Sequence, residues 1–203
     1  MVNFDKEYQT NKIKLIAGVD EAGRGPLAGP VAVASVIMPL DKDIIEGVND
    51  SKKLTEKKRE KLFDEIIEKA IAYHIELVDH KTIDEINILN ATKLGMKTCI
   101  EKLAIKPDLV LIDAVKLDVQ VPTESIIKGD AKSYNIACAS ILAKVSRDRL
   151  MLELDAIYPE YGFKKHKGYG TKAHIEALKQ FGKCDIHRNS FIKNFVGNEN
   201  VKN

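Results

Sequence analysis

Two apolar segments, Ile13 to Val19 and Val31 to Met38, are separated only by Asp20, Glu21 and a glycine-rich turn. That turn runs Gly23, Arg24, Gly25, Pro26, Leu27, Ala28, Gly29, Pro30. Both apolar segments read as strands, the second buried on both faces. The connection is too short for the crossover helix that joins parallel strands. A pure doubly wound fold is therefore disfavoured, and a mixed sheet is expected.

The remaining pattern interleaves helices with strands. Thr55 to Ala70 reads as a helix with Leu62, Phe63, Ile66, Ile67 and Ala70 on one face. Tyr73, Ile75 and Leu77 alternate with His74 and Glu76, the signature of a half-buried strand. Asn90 is placed to cap a helix running to about Ala104, its inner face holding Met96, Ile100 and Leu103. After Pro107, Leu109 to Ile112 is a continuous apolar strand ending at Asp113, and a short strand near Ser125 to Ile127 leads into Lys128, Gly129, Asp130. A long helix is predicted from Tyr134 to Ile157, stopped by Pro159, with Ala137, Cys138, Ala139, Ser140 and Ala143 small enough to lie against a sheet. Thr171 starts another helix that Gly182 ends. These elements predict an α/β sandwich on a mixed sheet. There is no internal repeat, low-complexity segment or linker, and residues 197–203 are expected to fray.

The formal net charge of +2 neither demands nor excludes a nucleic-acid partner. Its distribution is more informative. Lys52, Lys53, Lys57, Lys58, Arg59 and Lys61 crowd one stretch, partly offset by Glu56 and Glu60. Lys164, Lys165, Lys167 and Lys172 form another, with no acid among them and with Tyr169 and glycines between. Charge runs are usually solvated helix faces; the second is the better candidate for a phosphate-facing loop. No apolar run is long enough for a bilayer, and the acidic N-terminus does not resemble a signal peptide. Cys99, Cys138 and Cys184 are odd in number and contain no C-x-x-C pair. Reduced thiols and a cytoplasmic location are expected.

Four carboxylates stand where chemistry could sit: Asp20, Glu21, Asp113 and Asp130. Asp20 and Asp113 each follow an apolar strand, and ligand sites gather at the carboxyl ends of central strands. If those two strands are adjacent and parallel, the carboxylates converge and need a cation, for which magnesium or manganese suits an all-oxygen site. Singly, each acid is better explained as structural, by a turn or, for Asp130, by a helix N-terminus. Successive strand residues face opposite ways, so Asp20 and Glu21 can share a site only where the strand ends or bulges. Gly23, Gly25 and Gly29 do not make a dinucleotide turn, since that motif must open a helix and a strand follows here. His74, His80, His166, His174 and His187 lack metal-ligand spacing, and Cys184 with His187 is weak evidence alone.

Taken in order, the motifs resemble those of ribonuclease HII, in the type 2 ribonuclease H family. Gly18 to Val31 resembles its first signature, Asn49 to Leu54 its second, and Leu111 to Ala114 its third. Lys128 to Ser133 with Ile136 to Asp148 resembles its fourth, and Tyr158 to Phe163 with His166 to Thr171 completes the set. Cys138 departs from the usual alanine and packs as a similarly small apolar residue. The resemblance implies a ribonuclease H-like fold, a central five-stranded mixed sheet flanked by helices with a small helical C-terminal part. It implies one catalytic domain over 1–203, with a core at about 14–157 and the helical part at about 158–196. It implies Asp20, Glu21, Asp113 and Asp130 as catalytic metal ligands for magnesium or manganese. Gly23, Arg24, Gly25, Ser51, Lys52 and Tyr169 would bind substrate, Tyr169 packing on the sugar beyond the cut. The implied activity is hydrolysis of RNA in RNA–DNA hybrids, including 5′ of single ribonucleotides in duplex DNA. Two metals about 3.5–4 Å apart would act, leaving 3′-hydroxyl and 5′-phosphate ends. A monomer acting on nucleic acid, without membrane, is expected. The competing readings are a junction resolvase or integrase on a similar fold, and a binding module without catalysis.

Overall fold

The structure, a computed structural model, describes residues 1–196; the fraying expected for 197–203 lies outside them. In chain order the elements are α1 (Val2–Lys6), β1 (Ile16–Ala22), β2 (Val31–Ile37), α2 (Glu56–Lys69), β3 (Ala72–Val78), α3 (His80–Glu101), β4 (Leu109–Asp113) and β5 (Thr123–Ile126). They continue with α4 (Gly129–Lys132), α5 (Tyr134–Ile157), α6 (Phe163–His166), α7 (Lys172–Phe181) and α8 (Asn189–Ile192). The strands form one five-stranded sheet in the order β3-β2-β1-β4-β5. β1 pairs antiparallel with β2 and β2 with β3, while β1–β4 and β4–β5 are parallel. The sheet is mixed, as the short first connection required.

Alternation sorts the strands between two cores. Ile16, Ala34, Val36, Leu109 and Leu111 face α2 and α5, while Ala17, Val19, Val33, Val110 and Ile112 face α3. The first turns of α5 lie unusually close to β1. A Cβ built on Gly18 would stand 2.1 Å from the Asn135 carbonyl carbon, so only glycine fits there. Asp5 of α1 is fully buried and caps this helix start, accepting from Asn135 N at 2.8 Å and Nδ2 at 2.9 Å. A third apolar cluster joins Leu27 and Ala28 of the glycine-rich turn to Met151, Tyr161, Phe163, Leu178 and Ile192. It fastens the C-terminal helices beside that turn.

Three readings need correction. β1 does not end at Asp20 but runs to Ala22 in unbroken register with β2. The helix cap near residue 90 is Asn87, whose side chain accepts from Leu89 N and Asn90 N while its own φ is 66°. α3 therefore begins at His80, capped by Asp79, and breaks at Asn87. The alternating apolar residues of β3 are less covered than the pattern suggested: Tyr73 and Leu77 are exposed on this edge strand while Ile75 packs on the core, and burial falls instead on Ala72 and Val78 at the strand's two ends.

Candidate active site

β1 and β4 pair in parallel from Ile16↔Leu109 to Val19↔Ile112. The next residue on each strand is Asp20 and Asp113, so the two acids take equivalent places at the carboxyl ends of adjacent strands. Alternation puts both on the face toward α5. It sends Glu21 the other way, but β1 has lost its β4 partner by then. At that open corner the Glu21 side chain reaches a cleft of about 210 Å³. Glu21, Gly23, Arg24, Gly25, Ser51, Lys52, Ser140, Lys144 and Tyr169 line this cleft. Asp20 feels the charges of Glu21 and Asp113, and Glu21 that of Asp113, one residue before β1 ends at Ala22.

Asp130 arrives from β5. Lys128 and Ala114 both adopt left-handed φ values, 56° and 49°, at the turns flanking the site. Non-glycine residues in that region cost on the order of 1–3 kcal/mol each. The Gly129 amide donates to Asp113 Oδ1 at 2.6 Å, locking the turn against the end of β4. Asp130 then stands 3.8 Å from Lys52 Nζ.

Asp20, Glu21 and Asp130 resist ionisation. Asp20 is 5% exposed, and burial, then Glu21 and then Asp113, hold its pKa well above the usual range despite a hydrogen bond from Ser140. Burial raises Glu21 too; Arg24, 3.4 Å away, draws it partly back, and Asp113 pushes it up. Burial raises Asp130, with Asp50 and Asp113 adding to the effect. Burial opposes the charge on Lys52, but Asp130, Asp20, Asp50 and Asp113 outweigh it and hold the ammonium pKa up. Glu21 Oε2 is buried with no hydrogen-bond partner in the protein. An orphaned carboxylate oxygen among mutually repelling acids is a set of oxygen donors that fits a hard divalent cation. Among the described residues, no three His, Cys, Asp or Glu side chains are gathered closely enough to enclose an ion by themselves. Magnesium commonly keeps waters and takes substrate oxygens rather than an all-protein cage.

The cleft's other wall is the glycine-rich turn, held from behind by two buried arginines. Arg147, 1% exposed, donates from Nε to Pro30 O at 2.9 Å, from Nη2 to Ala28 O at 3.1 Å and from Nη1 to Lys167 O at 2.9 Å. Arg188, 0% exposed, donates to the carbonyls of Gly23, Arg24, Gly29 and Pro30 at 2.6–3.1 Å. Burial lowers their pKa values to about 10 and about 9, with Arg147 adding to the effect on Arg188, so both remain charged at neutral pH. A Cβ on Gly23 would meet Arg147 Nε at 2.0 Å. A Cβ on Gly25 would meet only Tyr169 Cε1, at 3.8 Å. Tyr169 itself is 44% exposed.

Sequence reasoning missed Ser140, Lys144, Arg59, Arg147 and Arg188. Ser140, Lys144 and Asp148 recur every four residues on α5, a spacing that puts them on one face. Lys144 Nζ lies 2.7 Å from Asp148 Oδ1, and Ser140 Oγ lies 2.9 Å from Ser51 Oγ. Arg59, read as part of a charged run, turns inward and donates to the carbonyls of Ser51 and Leu54, shaping the loop that carries Lys52. In the second basic run, Lys172 pairs with Glu176 instead of facing the cleft alone.

A model of the family described as ribonuclease HII matches residues 17–194. Ribonuclease HII of Acetivibrio thermocellus is 60% identical over 197 residues, covering 97% of this chain and 77% of that one. Ribonuclease H2 from Pyrococcus horikoshii OT3 superposes with a TM-score of 0.74 at 33% identity, over 87% of this chain and 93% of that one. Bst-RNase HIII, solved in complex with Mn2+, gives a TM-score of 0.63 at 16% identity, over 86% of this chain and 65% of that one; it shares the fold.

Proposed function

The chain belongs to the ribonuclease HII family, and on that premise we propose an endonuclease that hydrolyses the RNA strand of RNA–DNA hybrids and cuts 5′ of single ribonucleotides in duplex DNA. The products would carry 3′-hydroxyl and 5′-phosphate ends. The observation that supports this most is the register of β1 and β4, which sets Asp20 beside Asp113 and leaves Glu21 Oε2 unmatched next to them. Asp20, Glu21, Asp113 and Asp130 would hold magnesium or manganese. When bound, a pair of such ions supplies Lewis acidity and neutralises charge developing on the phosphodiester.

The protein's own groups have separate tasks. Lys52, beside Asp130, offers a cation to a phosphate, and Ser51 a hydroxyl. Gly23, Arg24 and Gly25 present backbone that a 2′-hydroxyl, both donor and acceptor, can address closely. Tyr169, half exposed across from Gly25, offers a flat ring to the neighbouring sugar. We read residues 1–203 as one catalytic domain that acts as a monomer, with the part from about 158 supplying Tyr169. No helix among the described residues is long and apolar enough to cross a membrane. A cytoplasmic setting would keep Cys99, Cys138 and Cys184 reduced.

The test is cleavage of a DNA duplex carrying one ribonucleotide, beside a continuous hybrid and a four-way DNA junction. Both ribonucleotide substrates should be cut with magnesium or manganese and spared in chelator. A cut junction with intact hybrids would point to a resolvase instead.

A further inference from the structure

Beneath Tyr169 lies a chain of buried histidines that the reaction does not use. His174 Nδ1 is 3.0 Å from Tyr169 O, His174 Nε2 is 3.0 Å from His187 Nε2, and His187 Nδ1 is 2.9 Å from Cys184 N and 3.1 Å from Cys184 Sγ. Both rings are buried. The partners at the two ends decide where the protons are. A carbonyl only accepts, so His174 must carry its proton on Nδ1. Its Nε2 is then a lone pair, and His187 must donate to it from Nε2. That leaves His187 Nδ1 as an acceptor, which is what the Cys184 N–H, a group that only donates, requires. The two ends impose the same tautomers independently. In the reverse arrangement His187 Nδ1 would gain only the Cys184 carbonyl at 3.3 Å. It would set a lone pair against Tyr169 O and an N–H against the Cys184 N–H.

We propose that this relay, from Cys184 through His187 and His174 to the Tyr169 carbonyl, makes His174 and His187 positioning residues for the Tyr169 ring. The inference rests on Tyr169 being the ring that meets the sugar. The same carbonyl also accepts from Thr171 N at 2.8 Å. One residue earlier, Gly168 N donates to His166 Nδ1 at 3.2 Å, and Gly168 O accepts from Leu27 N at 2.8 Å. His166 donates from Nε2 to Tyr161 O at 2.9 Å and stacks on His174 with centroids 4.6 Å apart. The backbone under Tyr169 is thus held on one side by the relay and on the other by the glycine-rich turn.

The relay works only with neutral rings, since a doubly protonated histidine would press N–H against N–H. The groups facing it agree. His166 faces His174, while His80 and Lys183 face His187; all of these, like burial, oppose protonation. Burial, Glu160 and Asp185 keep the Cys184 thiol protonated, pushed up to about 11, so it can donate. Burial holds His174 down at about 4 and His187 at about 3.

Nitrogen-15 imidazole spectra of the wild-type protein test the tautomers, and the ratio of cleavage at an isolated ribonucleotide to cleavage within continuous RNA tests the consequence. His174 should appear as the Nδ1–H form and His187 as the Nε2–H form, unchanged from pH 8 to pH 5.5. Either ring in the other tautomer, or charged at pH 5.5, overturns the proposal without any mutation. His174→Gln, which cannot place a donor at the Nδ1 position, should lower the ratio by about 10-fold, the loss typical of an outer-shell partner. His174→Asn keeps a donor there and should restore most of it. Tyr169→Ala runs alongside. If it leaves the ratio unchanged, the reading of Tyr169 fails and takes the inference with it. If Tyr169→Ala shifts the ratio while His174→Gln does not, the positioning role alone is overturned.

Discussion

At the β1–β4 corner, Glu21 buries an oxygen with no partner and Asp20 sits dehydrated beside two further acids. A few residues along the chain, the carbonyls of Gly23, Arg24, Ala28, Gly29 and Pro30 each meet a guanidinium N–H of Arg147 or Arg188. One region is held in electrostatic conflict and the other is satisfied many times over. A buried polar network stabilises when its members are paired and destabilises when they are not. The carboxylate corner thus keeps its free energy in reserve for ligands, while the turn spends its hydrogen bonds on rigidity. The protein holds the glycine-rich turn more tightly than the carboxylate corner.

Replacing Asp20 or Asp113 by asparagine should break the first region's chemistry with the largest effect. Cleavage at saturating metal should fall by more than about 100-fold, beyond the loss usual for an outer-shell partner. The metal-free protein should melt higher, because the substitution removes like-charge repulsion. Each kcal/mol relieved raises the midpoint by about 2–4 °C for a chain of this size. Retained activity, or a lower midpoint, would show that these acids are not in conflict.

Arg188→Ala probes the second region and should destabilise by about 3–5 kcal/mol, since four carbonyls lose their shared donor and buried unsatisfied acceptors are costly. Urea denaturation measures it. A loss below about 1 kcal/mol would mean that the turn holds its shape without the clamp.

Acid should also weaken the second region. His174 and His187 have folded pKa values near 4 and 3 against 6.5 for the free side chain. Below pH 6.5 the unfolded chain takes up protons that the folded chain refuses, so this contribution is present above pH 6.5 and is lost as pH falls toward 4. The loss is about 1.4 kcal/mol per pH unit for each histidine. Stability measured at pH 7.5, 6.5 and 5.5 should decline, less steeply in His187→Gln. Equal slopes in the two proteins would remove the histidines from the explanation.

The smallest effect separates two neighbouring glycines. Gly25→Ala has room and should change stability by within about 0.5 kcal/mol. Gly23→Ala, at φ 91° with its Cβ on Arg147, should be far worse. Comparable midpoints would refute the asymmetry.

The first region was largely legible in the sequence, because an apolar run that stops at an acid is a local signal. Asp20 and Asp113 are marked that way, and the turn between β1 and β2 sets the mixed sheet. The second region was not. Nothing in the sequence marks Arg147 or Arg188 for the interior, since arginines are rarely buried. They enter the interior only because the glycine-rich turn presents its carbonyls there, and that depends on tertiary structure. His174 and His187 stand thirteen residues apart, a spacing with no local meaning, and meet only once α7 packs beneath the turn. Asn87 took the cap expected of Asn90 for a subtler reason. Two asparagines stood in one window, and the one that adopts φ 66° to break the helix wins.

The clamp on the glycine-rich turn also sets an order of assembly. Arg188 bonds Gly23 and Arg24 across 165 and 164 residues of chain. Contacts of such separation carry a large loop-closure cost before they give anything back, and they slow folding. A chain made from its N-terminus completes β1, β2 and the acids of the corner long before Arg188 exists. The nascent protein therefore gains its acidic corner early and the clamp on its glycine-rich turn last, so the shape of that turn is the final feature that synthesis confers.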